Sequence, residues 1–477
     1  MRITDHQNTK IVATVGPACN SYEQLKNLVK AGVDIFRVNF SHGTHEDKLA
    51  VIQHITRINE EFGVHIGILA DLQGPKLRVG KMEGDGLLIE KDQILTFTNT
   101  ECIGNAERIY MSYPQFAQDV GVGERVLVDD GNLVLEVVET NGLDEVKLKV
   151  VFGGVLKSNK GVNLPKTNIS LPCLTDKDLV DLEFILKQPV HWIALSFVRH
   201  PKDIKDLRER IDAAGHPAKI IAKIEKPEAV ERIDKIIKHS NGIMVARGDL
   251  GIEVPIEQVP IIQKSIIRKC IQRARPVIVA TQMMDSMTTK PTPTRAEATD
   301  VANAVLDGAD AVMLSGETSV GVHPVKVVQA MNRIIEEAEK AYEINPFRPK
   351  PNAKSRTFKS DVVCFAAAST AEEIDAKAIV GMTSSGYTAF KLSSFRPDCK
   401  IYVFSDRPYM LSTLNLCWGV RSYYYDGFTS TDDTVSDVNE LLKQAGRIIP
   451  GDTVVNLASM PLVRRYRTNM MKVTEIE

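Results

Sequence analysis

The chain has 477 residues, of which 43% are hydrophobic and 25% are charged, and its formal net charge is −2. This length predicts two to four domains, and the composition is typical of a soluble globular protein. The near-neutral charge argues against a nucleic-acid binder held by bulk charge. No apolar stretch reaches the roughly 18 residues that a membrane span requires. We therefore expect no nucleic-acid partner and no membrane association.

Seven cysteines are scattered along the chain, with no C-x-x-C pair and no spacing typical of a zinc site. The N-terminal segment MRITDHQNTKIV lacks the apolar core of a signal peptide. Dispersed thiols without a secretion signal indicate a reduced, cytoplasmic protein.

The predicted elements include eight short apolar runs, each followed by a helix-like stretch. The runs are KIVATVGP, DIFRVNFSHG, HIGILADL, HWIALSFV, KIIAKIEKP, GIMVARGDLG, PVIVATQMM and AVMLSGET. Near-continuous Val, Ile, Ala and Leu content is typical of parallel strands buried on both faces. Ser21-x-x-Gln24 and Thr294-x-x-Glu297 predict capping boxes at helix starts. Eight strand–helix units predict a closed (β/α)8 TIM barrel, with an open doubly wound sheet as the competing topology.

A long insert between the third and fourth runs has a different pattern. Short alternating segments such as QILTFTN, NLVLEVVET and EVKLKVVF are separated by Gly, Asn and Asp. They predict a small antiparallel β-barrel domain over residues 72–171, which we call the lid. The lid follows the carboxyl end of a barrel strand, on the face where barrel active sites lie. Hinges at Gly74-Pro75 and Leu164-Pro165 would let it close over a substrate.

The remaining residues divide between the barrel and a second α/β domain. The barrel is expected to comprise residues 1–71 and 172–345, and the proline-rich, basic segment NPFRPKPNAKSR predicts a linker. Beyond it, residues 346–477 are expected to form a C-terminal α/β domain. Its predicted strands are AIVGMT, KIYVFS, RSYYYD, TVVNLA and TNMMKVTEI.

Polar side chains concentrate at the carboxyl ends of the predicted barrel strands, where the catalytic groups of such barrels gather. Residues i and i+2 of a strand face the same way, so Lys223 and Glu225 share one side. Each motif alone has a structural explanation, such as an ion pair or a helix cap, but their recurrence at one rim favours a phosphate-handling enzyme. The residues at these ends are Arg37, Asn39, Ser41, Lys223, Glu225, Asp249, Thr281, Ser315 and Glu317.

Glu225 and Asp249, expected on neighbouring strands, form a candidate site for a divalent cation. Such a sparse, oxygen-only set suits Mg²⁺ or Mn²⁺. The backbone amides of Gly248 and Asp249 are candidates for binding a substrate carboxylate. Cations beside a carboxylate-bound metal are what phosphoryl transfer needs, because negative charge builds up on the phosphoryl oxygens. The cations expected to converge there are Arg37, Lys76, Arg78 and Lys223.

Five segments in this order resemble the pyruvate kinase family: FRVNFSHG, IAKIEKPEAV, MVARGDLGIE, ATQMMDSM and MLSGETSVGVHP. The resemblance runs from Thr9 to the end of the chain. It implies that the phosphoryl group of phosphoenolpyruvate is transferred to ADP, giving pyruvate and ATP in the last step of glycolysis. It also implies dependence on Mg²⁺ (or Mn²⁺) and a homotetramer, with the C-terminal domain serving regulation and oligomerisation.

The resemblance further implies roles for residues around phosphoenolpyruvate. Arg37 and Lys223 would contact the phosphoryl group in transit, and Glu225 and Asp249 would hold the Mg²⁺. The substrate carboxylate would be bound by the amides of Gly248 and Asp249 and by Thr281. The residues near the route of the proton to the enolate carbon would be Thr281, Ser315 and Glu317.

On the nucleotide side, the resemblance implies contacts from Asn39, His42, Arg78 and, on the lid, Lys160. A second Mg²⁺ is expected to travel with ADP. Closure of the lid would exclude water, which otherwise competes with ADP as the phosphoryl acceptor.

In the C-terminal domain, GMTSSGYTA follows a predicted strand and opens a helix, which is a candidate site for an effector phosphate. In relatives regulated by fructose 1,6-bisphosphate, a Gly-rich loop near the C-terminus closes on the effector. The matching stretch here, ASMPLVRRYRTN, lacks glycine and carries Arg464, Arg465 and Arg467. This departure argues against that bisphosphate and leaves another phosphorylated ligand open. The candidate phosphate-binding residues are Thr383, Ser384, Ser385 and Gly386.

In many pyruvate kinases, side chains matching Asn39, Ser41 and Asp71, with the carbonyl matching Leu72, bind K⁺. Those relatives have glutamate at the position of Lys76, whereas this chain resembles the branch in which lysine stands there and K⁺ is not required. An ammonium can supply the charge that K⁺ supplies elsewhere. It would also repel K⁺ by roughly 4 kcal/mol at about 4 Å and an effective dielectric near 20. We therefore expect Lys76 to replace K⁺.

Two alternatives remain. Another barrel enzyme that uses phosphoenolpyruvate or pyruvate, an aldolase or lyase, would share KIEKPEAV but would not need the lid cations Arg78 and Lys160. A catalytically silent metabolite-binding regulator would be expected to lack Lys223, Glu225 or Asp249, and all three are present.

Overall fold

The computed structural model describes residues 7–341, 349–461 and 466–477. The chain begins with β1 (Lys10–Thr14), α1 (Tyr22–Ala31), β2 (Ile35–Asn39), α2 (His45–Phe62) and β3 (Gly67–Asp71). Ser21 caps α1 by accepting a hydrogen bond from the Gln24 backbone N–H. The predicted return bond from the Gln24 side chain is not formed in this described segment. The capping box expected there is therefore incomplete, and only the serine cap is present.

The insert follows β3 and is made mostly of short strands. Its elements are β4 (Leu87–Ile89), β5 (Ile94–Thr98), β6 (Arg108–Tyr110), α3 (Phe116–Asp119), β7 (Arg125–Val128), β8 (Leu133–Thr140), β9 (Glu145–Phe152), β10 (Gly154–Leu156) and β11 (Val162–Asn163). They form a six-stranded sheet in the order β11-β7-β8-β9-β5-β6 and a two-stranded sheet of β10 and β4. Alternate residues of these strands are buried in a separate apolar core.

The two edges of the six-stranded sheet meet through one short segment. Arg78 bridges Gly161 beside β11, and Val79 bridges Met111 beside β6. These isolated bridges link the two edges, but no continuous strand pairing among the described lid residues closes the sheet, so the lid is an open sheet and not the closed β-barrel that was predicted. The predicted antiparallel pairing holds for the other ladders of this sheet, but β5 and β6 are parallel. The connection over residues 99–107 is long enough to carry the chain back along β5, which a tight hairpin cannot do.

After the insert the chain returns to alternating strands and helices. These are α4 (Asp176–Ile185), β12 (Trp192–Leu195), α5 (Pro201–Ala213), β13 (Lys219–Ile224), α6 (Pro227–Glu231), α7 (Ile233–His239), β14 (Gly242–Ala246), α8 (Arg247–Glu253), α9 (Val259–Gln272), β15 (Val277–Ala280), α10 (Arg295–Leu306), β16 (Ala311–Leu314), α11 (Gly316–Ser319) and α12 (Pro324–Ala341). Thr294 and Glu297 form the predicted capping box at the start of α10.

The eight parallel strands close in the order β1-β16-β15-β14-β13-β12-β3-β2. Because β1 pairs with both β2 and β16, the sheet has no edge. This closure confirms the TIM barrel and excludes the open doubly wound sheet. In the described part of the chain, no helix combines the length and apolar character that crossing a membrane demands.

The C-terminal domain is an α/β unit with a five-stranded sheet in the order β19-β18-β17-β20-β21, in which only β21 is antiparallel to its neighbour. The predicted domain boundary at residues 345/346 and part of the predicted linker lie outside the described residues. The elements are α13 (Phe358–Glu373), β17 (Ala378–Met382), α14 (Tyr387–Ser394), β18 (Lys400–Ser405), α15 (Pro408–Leu414), β19 (Val420–Tyr424), α16 (Thr431–Gln444), β20 (Thr453–Ala458) and β21 (Met470–Glu475).

The C-terminal domain covers the amino ends of the barrel strands. Lys10 Nζ, at the start of β1, donates to the Val420 carbonyl at 2.8 Å. Trp192 Nε1, at the start of β12, donates to the Thr413 carbonyl at 3.2 Å. Leu416 joins the apolar cluster inside the barrel. The carboxyl ends of the strands are thus left as the rim that the lid can cover.

Candidate active site

Asp71, the last residue of β3, lies at the centre of a charged cluster on this rim. It is 1% exposed and accepts a hydrogen bond from Arg37 Nε at 2.6 Å, while Lys223 Nζ lies 3.3 Å from its other oxygen. Burial alone would raise the pKa of Asp71, but Lys223 and Arg37 hold it below its usual range. The buried carboxylate is therefore ionised and holds the two predicted phosphoryl-contacting cations together.

Lys223 is held from several directions at the end of β13. Its Nζ lies 3.0 Å from Glu225 Oε1 and donates to Ser196 Oγ at 2.7 Å. Although burial opposes the charge, Asp71 and Glu225 raise the pKa of Lys223 above its ordinary value. The ammonium is thus charged and fixed in position, as electrostatic stabilisation of a transferring group requires.

Glu225 and Asp249 come together as expected from their strands. β13 pairs with β14, and Asp249 lies in the first turn of α8, directly after β14. Burial raises the pKa of Glu225, Lys223 opposes the rise, and Asp249 adds to it. The repulsion between two carboxylates in a buried site is what a divalent cation relieves.

This oxygen-only pair fits Mg²⁺ or Mn²⁺, which share their remaining positions with water and substrate. One oxygen of Glu225 also accepts a hydrogen bond from the Phe197 backbone N–H at 2.6 Å, which orients the carboxylate. Over the described ranges, no cluster of three or more His, Cys, Asp or Glu side chains could hold a metal ion. A divalent cation here would therefore have two protein carboxylates as ligands, and its other ligands would be water or a bound substrate.

Thr281 follows β15 in a backbone conformation that is rare for a β-branched residue, with φ of +71°. Arg247, which forms an ion pair with Asp300 at 2.7 Å, donates to the Thr281 carbonyl at 2.8 Å. The Gly248 N–H donates to Thr281 Oγ1 at 2.7 Å. The two groups predicted to bind the substrate carboxylate are therefore in direct contact with each other.

Ser315 and Glu317 meet at the end of β16. The Glu317 carboxylate accepts hydrogen bonds from the Ser315 N–H at 2.6 Å and from the Met284 N–H at 3.2 Å. Burial raises the pKa of Glu317, and these backbone amides partly offset the rise. Glu317 thus ties the ends of β15 and β16 together at the rim.

The predicted nucleotide-side residue His42 lies within the electrostatic influence of several cations. Burial lowers the pKa of His42, and the charges of Arg78, Lys48, Lys76 and Arg37 lower it further. Cations of the barrel (Arg37, Lys48) and of the lid (Lys76, Arg78) therefore all influence this position. Such a set of cations is suited to binding a polyanion such as a diphosphate.

On the lid, Lys160 forms an ion pair with Asp129 at 2.7 Å, and the Arg78 guanidinium donates to the Asn159 carbonyl at 2.9 Å. Arg78 and Lys160 therefore lie on adjacent segments of the lid. On the barrel, Asn39 Oδ1 accepts a hydrogen bond from the Ser41 N–H at 3.1 Å.

Comparison with known proteins agrees with this geometry. A family model described as the barrel domain of pyruvate kinase matches residues 6–328, and one described as its alpha/beta domain matches residues 361–474. The chain belongs to the pyruvate kinase family. It is therefore a phosphotransferase enzyme, and the fold is that of the pyruvate kinases.

Pyruvate kinases of several bacteria are similar over nearly the whole chain. The pyruvate kinase of Mycobacterium intracellulare is 43% identical over 467 residues, covering 98% of each protein. That of Geobacillus stearothermophilus is 41% identical over 98% of this chain and 80% of its own length. The crystal structure of a pyruvate kinase from Cryptosporidium parvum matches 100% of this chain and 98% of its own, with a TM-score of 0.93 and 35% identity.

One residue at the pyruvate kinase site was missed from the sequence. Ser196 accepts a hydrogen bond from Lys223 and donates to the Leu72 carbonyl at 2.7 Å. Its hydroxyl comes directly after β12, within the run HWIALSFV, and is the same signal that pointed to Thr281 and Ser315. The position of Ser196 at the carboxyl end of a predicted strand could therefore have identified it as a site residue.

The candidate effector residues lie in the C-terminal α/β domain. Gly386 has φ of +80°, and its N–H donates to Thr383 Oγ1 at 2.9 Å. Thr383, Ser384 and Ser385 line a cavity of about 360 Å³, to which Arg467 also contributes. Arg464 and Arg465 lie outside the described residues.

Proposed function

We propose that the enzyme transfers the phosphoryl group of phosphoenolpyruvate to ADP, giving pyruvate and ATP, with Mg²⁺ as cofactor. The observation that carries this proposal is the joining of Arg37 and Lys223 by buried Asp71, beside the carboxylate pair Glu225 and Asp249. Phosphoryl transfer depends mainly on positioning and on neutralising charge. This arrangement provides fixed cations and a site for a divalent ion within one rim.

Different residues of the rim are proposed to bind different parts of phosphoenolpyruvate. Arg37 and Lys223 neutralise the phosphoryl oxygens in transit, and Thr281 with the Gly248 amide binds the substrate carboxylate. Glu225 and Asp249 would hold Mg²⁺, which when bound supplies further positive charge to the substrate oxygens. The residues proposed for the proton route are Thr281, Ser315 and Glu317.

On the nucleotide side, we propose that ADP, with a second Mg²⁺, contacts the barrel and the lid together. Cations of the lid face the diphosphate, and the closed lid excludes water. The two alternatives, an aldolase or lyase and a silent regulator, have no use for such a group of cations beside an intact carboxylate pair. The residues proposed to contact the nucleotide are Asn39, His42, Arg78 and Lys160.

We propose that the enzyme does not require K⁺. Three groups that match the K⁺ ligands of other pyruvate kinases already have partners within the chain: Asn39 accepts from the Ser41 N–H, Asp71 binds two cations, and the Leu72 carbonyl accepts from Ser196. Lys76 is exposed beside a small cavity between lid and barrel, which Asp249 also lines. It forms no ion pair with any other described residue, so its ammonium is available to an anionic substrate.

A coupled assay that follows pyruvate formation tests the main proposal. We expect turnover that requires both ADP and a divalent cation, and that stops when EDTA removes the cation. Lys223→Met should lower kcat by about 10³-fold or more, because it removes a charge that acts on the transition state. Lys235→Met, on the exposed face of α7, is the matched control. Absence of ADP-dependent pyruvate formation by the wild type would refute the proposal.

We also propose that the enzyme is a cytoplasmic homotetramer, with the cavity of the C-terminal domain binding a phosphorylated effector. Seven free cysteines support a reducing location. The hydroxyl groups of Ser384 and Ser385, together with Arg467, make the cavity suitable for a phosphate. Light scattering measures the tetramer, and a shift in the thermal unfolding temperature with added sugar phosphates tests the effector.

A further inference from the structure

A buried cluster of Lys226, Glu253 and Asn163 joins the lid to the barrel beside the charged centre. Lys226 Nζ lies 2.6 Å from Glu253 Oε1, and the Asn163 side-chain amide donates to the same oxygen at 2.8 Å. Lys226 and Glu253 are 5% exposed, and Asn163 is 9% exposed. Glu253 Oε2 has no hydrogen-bond partner among residues that the structure describes. The contact between lid and barrel at this point therefore depends on one oxygen atom.

The barrel members of the cluster are attached to the predicted metal ligands. Lys226 directly follows Glu225, and Glu253 is the last residue of α8, whose first turn holds Asp249. A short helix transmits displacement of one end to the other with little bending, because its backbone hydrogen bonds are continuous. The position of the Glu253 carboxylate is thus fixed relative to the site in which phosphoenolpyruvate is proposed to bind.

The lid member, Asn163, ends the segment that carries the lid cations. The Val79 N–H donates to the Lys160 carbonyl at 3.0 Å, and Arg78 bridges Gly161. Asn163 itself pairs with Leu127 of β7. The segments that hold Arg78 and Lys160 are therefore bonded to one another and anchored to the barrel through Asn163.

We propose that Glu253 is a positioning residue for nucleotide binding, an inference that rests on the proposed function. Through its hydrogen bond with Asn163, Glu253 fixes the positions of Arg78 and Lys160 above the barrel rim. The ammonium of Lys226 neutralises the charge of Glu253. Glu253 acts through these residues and is not itself a ligand of the nucleotide. A buried ion pair favours one arrangement of its partners, because any displacement leaves a desolvated charge unpaired.

This role predicts an asymmetric kinetic effect. The groups proposed to bind phosphoenolpyruvate, such as Arg37 and Thr281, belong to the barrel, whereas Arg78 and Lys160 belong to the lid. Loosening the lid anchor should therefore raise the KM for ADP and leave the KM for phosphoenolpyruvate nearly unchanged. A general loss of structure would change both constants together.

The test is an exchange of the amide and the carboxylate. Asn163→Asp places a second carboxylate against Glu253 and removes the donor, and we expect it to raise the KM for ADP about tenfold. Glu253→Gln leaves Lys226 unpaired and should have a comparable effect. The double variant again contains one carboxylate, one amide and one ammonium, so its KM for ADP should return to within about threefold of the wild type.

The outcomes separate the possible explanations. Glu257→Gln, on the exposed turn after α8, is the matched control and should behave as the wild type. The proposal is overturned if Asn163→Asp leaves the KM for ADP unchanged, if both KM values rise equally, or if the double variant is not rescued. Asn163→Ala, which only removes the donor, replaces Asn163→Asp if that variant does not fold. A wild type without ADP-dependent turnover would instead contradict the proposed function.

Discussion

Among single residues, Asp71 is the point at which the charges of the site are balanced. Its buried carboxylate already contacts Arg37 and Lys223. A K⁺ ion at the same carboxylate would be a third cation close to two others. Like charges about 4 Å apart repel by roughly 4 kcal/mol at an effective dielectric near 20. The balance of charge at Asp71 is therefore an argument for the proposal that the enzyme does not require K⁺.

For Lys76, we predict that the ammonium takes the place of K⁺ in catalysis. The wild type should show near-full activity in K⁺-free buffer containing a tetraalkylammonium salt. Lys76→Glu should lower activity there, because it removes a positive charge and adds a negative one, and K⁺ should restore at least part of it. The measurement is kcat with and without K⁺ for both proteins.

The control for Lys76 is another exposed lysine of the lid. Lys81→Glu makes the same charge change away from the rim, so it should neither lower activity nor create a response to K⁺. A wild-type enzyme that needs K⁺ for substantial turnover would show that Lys76 does not replace the ion.

Among elements, the connection from β3 into the lid depends on a glycine at residue 74. Gly74 has φ of +69°, and a Cβ atom there would lie 2.8 Å from Phe197 Cδ2 and 2.9 Å from Ser196 Cβ. Its N–H donates to Asp178 Oδ1 at 3.2 Å. The proposed hinge is therefore packed against the strand end that orients Lys223, and only glycine fits there.

Gly74→Ala should lower the free energy of unfolding by about 2–4 kcal/mol, because it adds a steric clash to the cost of a positive φ. It should also lower kcat, since Ser196 must move and Lys223 loses its position. Denaturant unfolding and steady-state kinetics measure the two effects.

Gly84→Ala separates the clash from the backbone strain. Gly84 has φ of +57°, and a Cβ atom added there would meet no other atom within 4 Å. Its substitution should therefore cost only about 1 kcal/mol and leave kcat unchanged. Equal losses of stability at the two glycines would contradict the packing argument for the hinge.

For the whole molecule, His191 links the amino end of the barrel to the C-terminal domain. Its Nδ1 accepts a hydrogen bond from the Ile68 N–H at 3.0 Å, and its ring centre lies 4.8 Å from that of Tyr409. Burial lowers the pKa of His191 from 6.5 to about 3, with smaller contributions from His216 and His65. The neutral imidazole therefore stabilises the folded state above pH 6.5, and this contribution is lost as the pH falls toward 3.

Between pH 7 and pH 5, we expect protonation of His191 in the unfolded chain to lower the free energy of unfolding by about 2 kcal/mol. His191→Asn keeps an acceptor for the Ile68 amide but cannot titrate in this range, so the dependence on pH should be weaker. Unfolding in denaturant at several pH values measures the slope. His54→Asn, near the surface, is the control, and equal slopes for wild type and His191→Asn would contradict the assignment.

Much of the architecture could be predicted because its signals are local. All eight apolar runs became barrel strands, and Thr294 with Glu297 formed the expected capping box. The five runs of the C-terminal domain likewise became β17 to β21. Hydrophobic periodicity and caps act over a few residues, so they can be read without knowledge of distant contacts. The roles of the individual site residues stay predictions until they are measured.

By itself, the sequence determined the eight strand–helix units, the insert of short strands and the set of polar residues at the strand ends, since each follows from a short pattern. The closure of the eight strands into a barrel, instead of an open doubly wound sheet, was decided by the pairing of β1 with β16. Only the tertiary structure decided which of those residues touch. The hydrogen bonds from Lys223 to Ser196 and from Asn163 to Glu253 join positions far apart in the chain. The parallel pairing of β5 and β6 also depends on how the chain returns through space. Contacts of this kind leave no periodic signal, because they are set by the packing of whole elements.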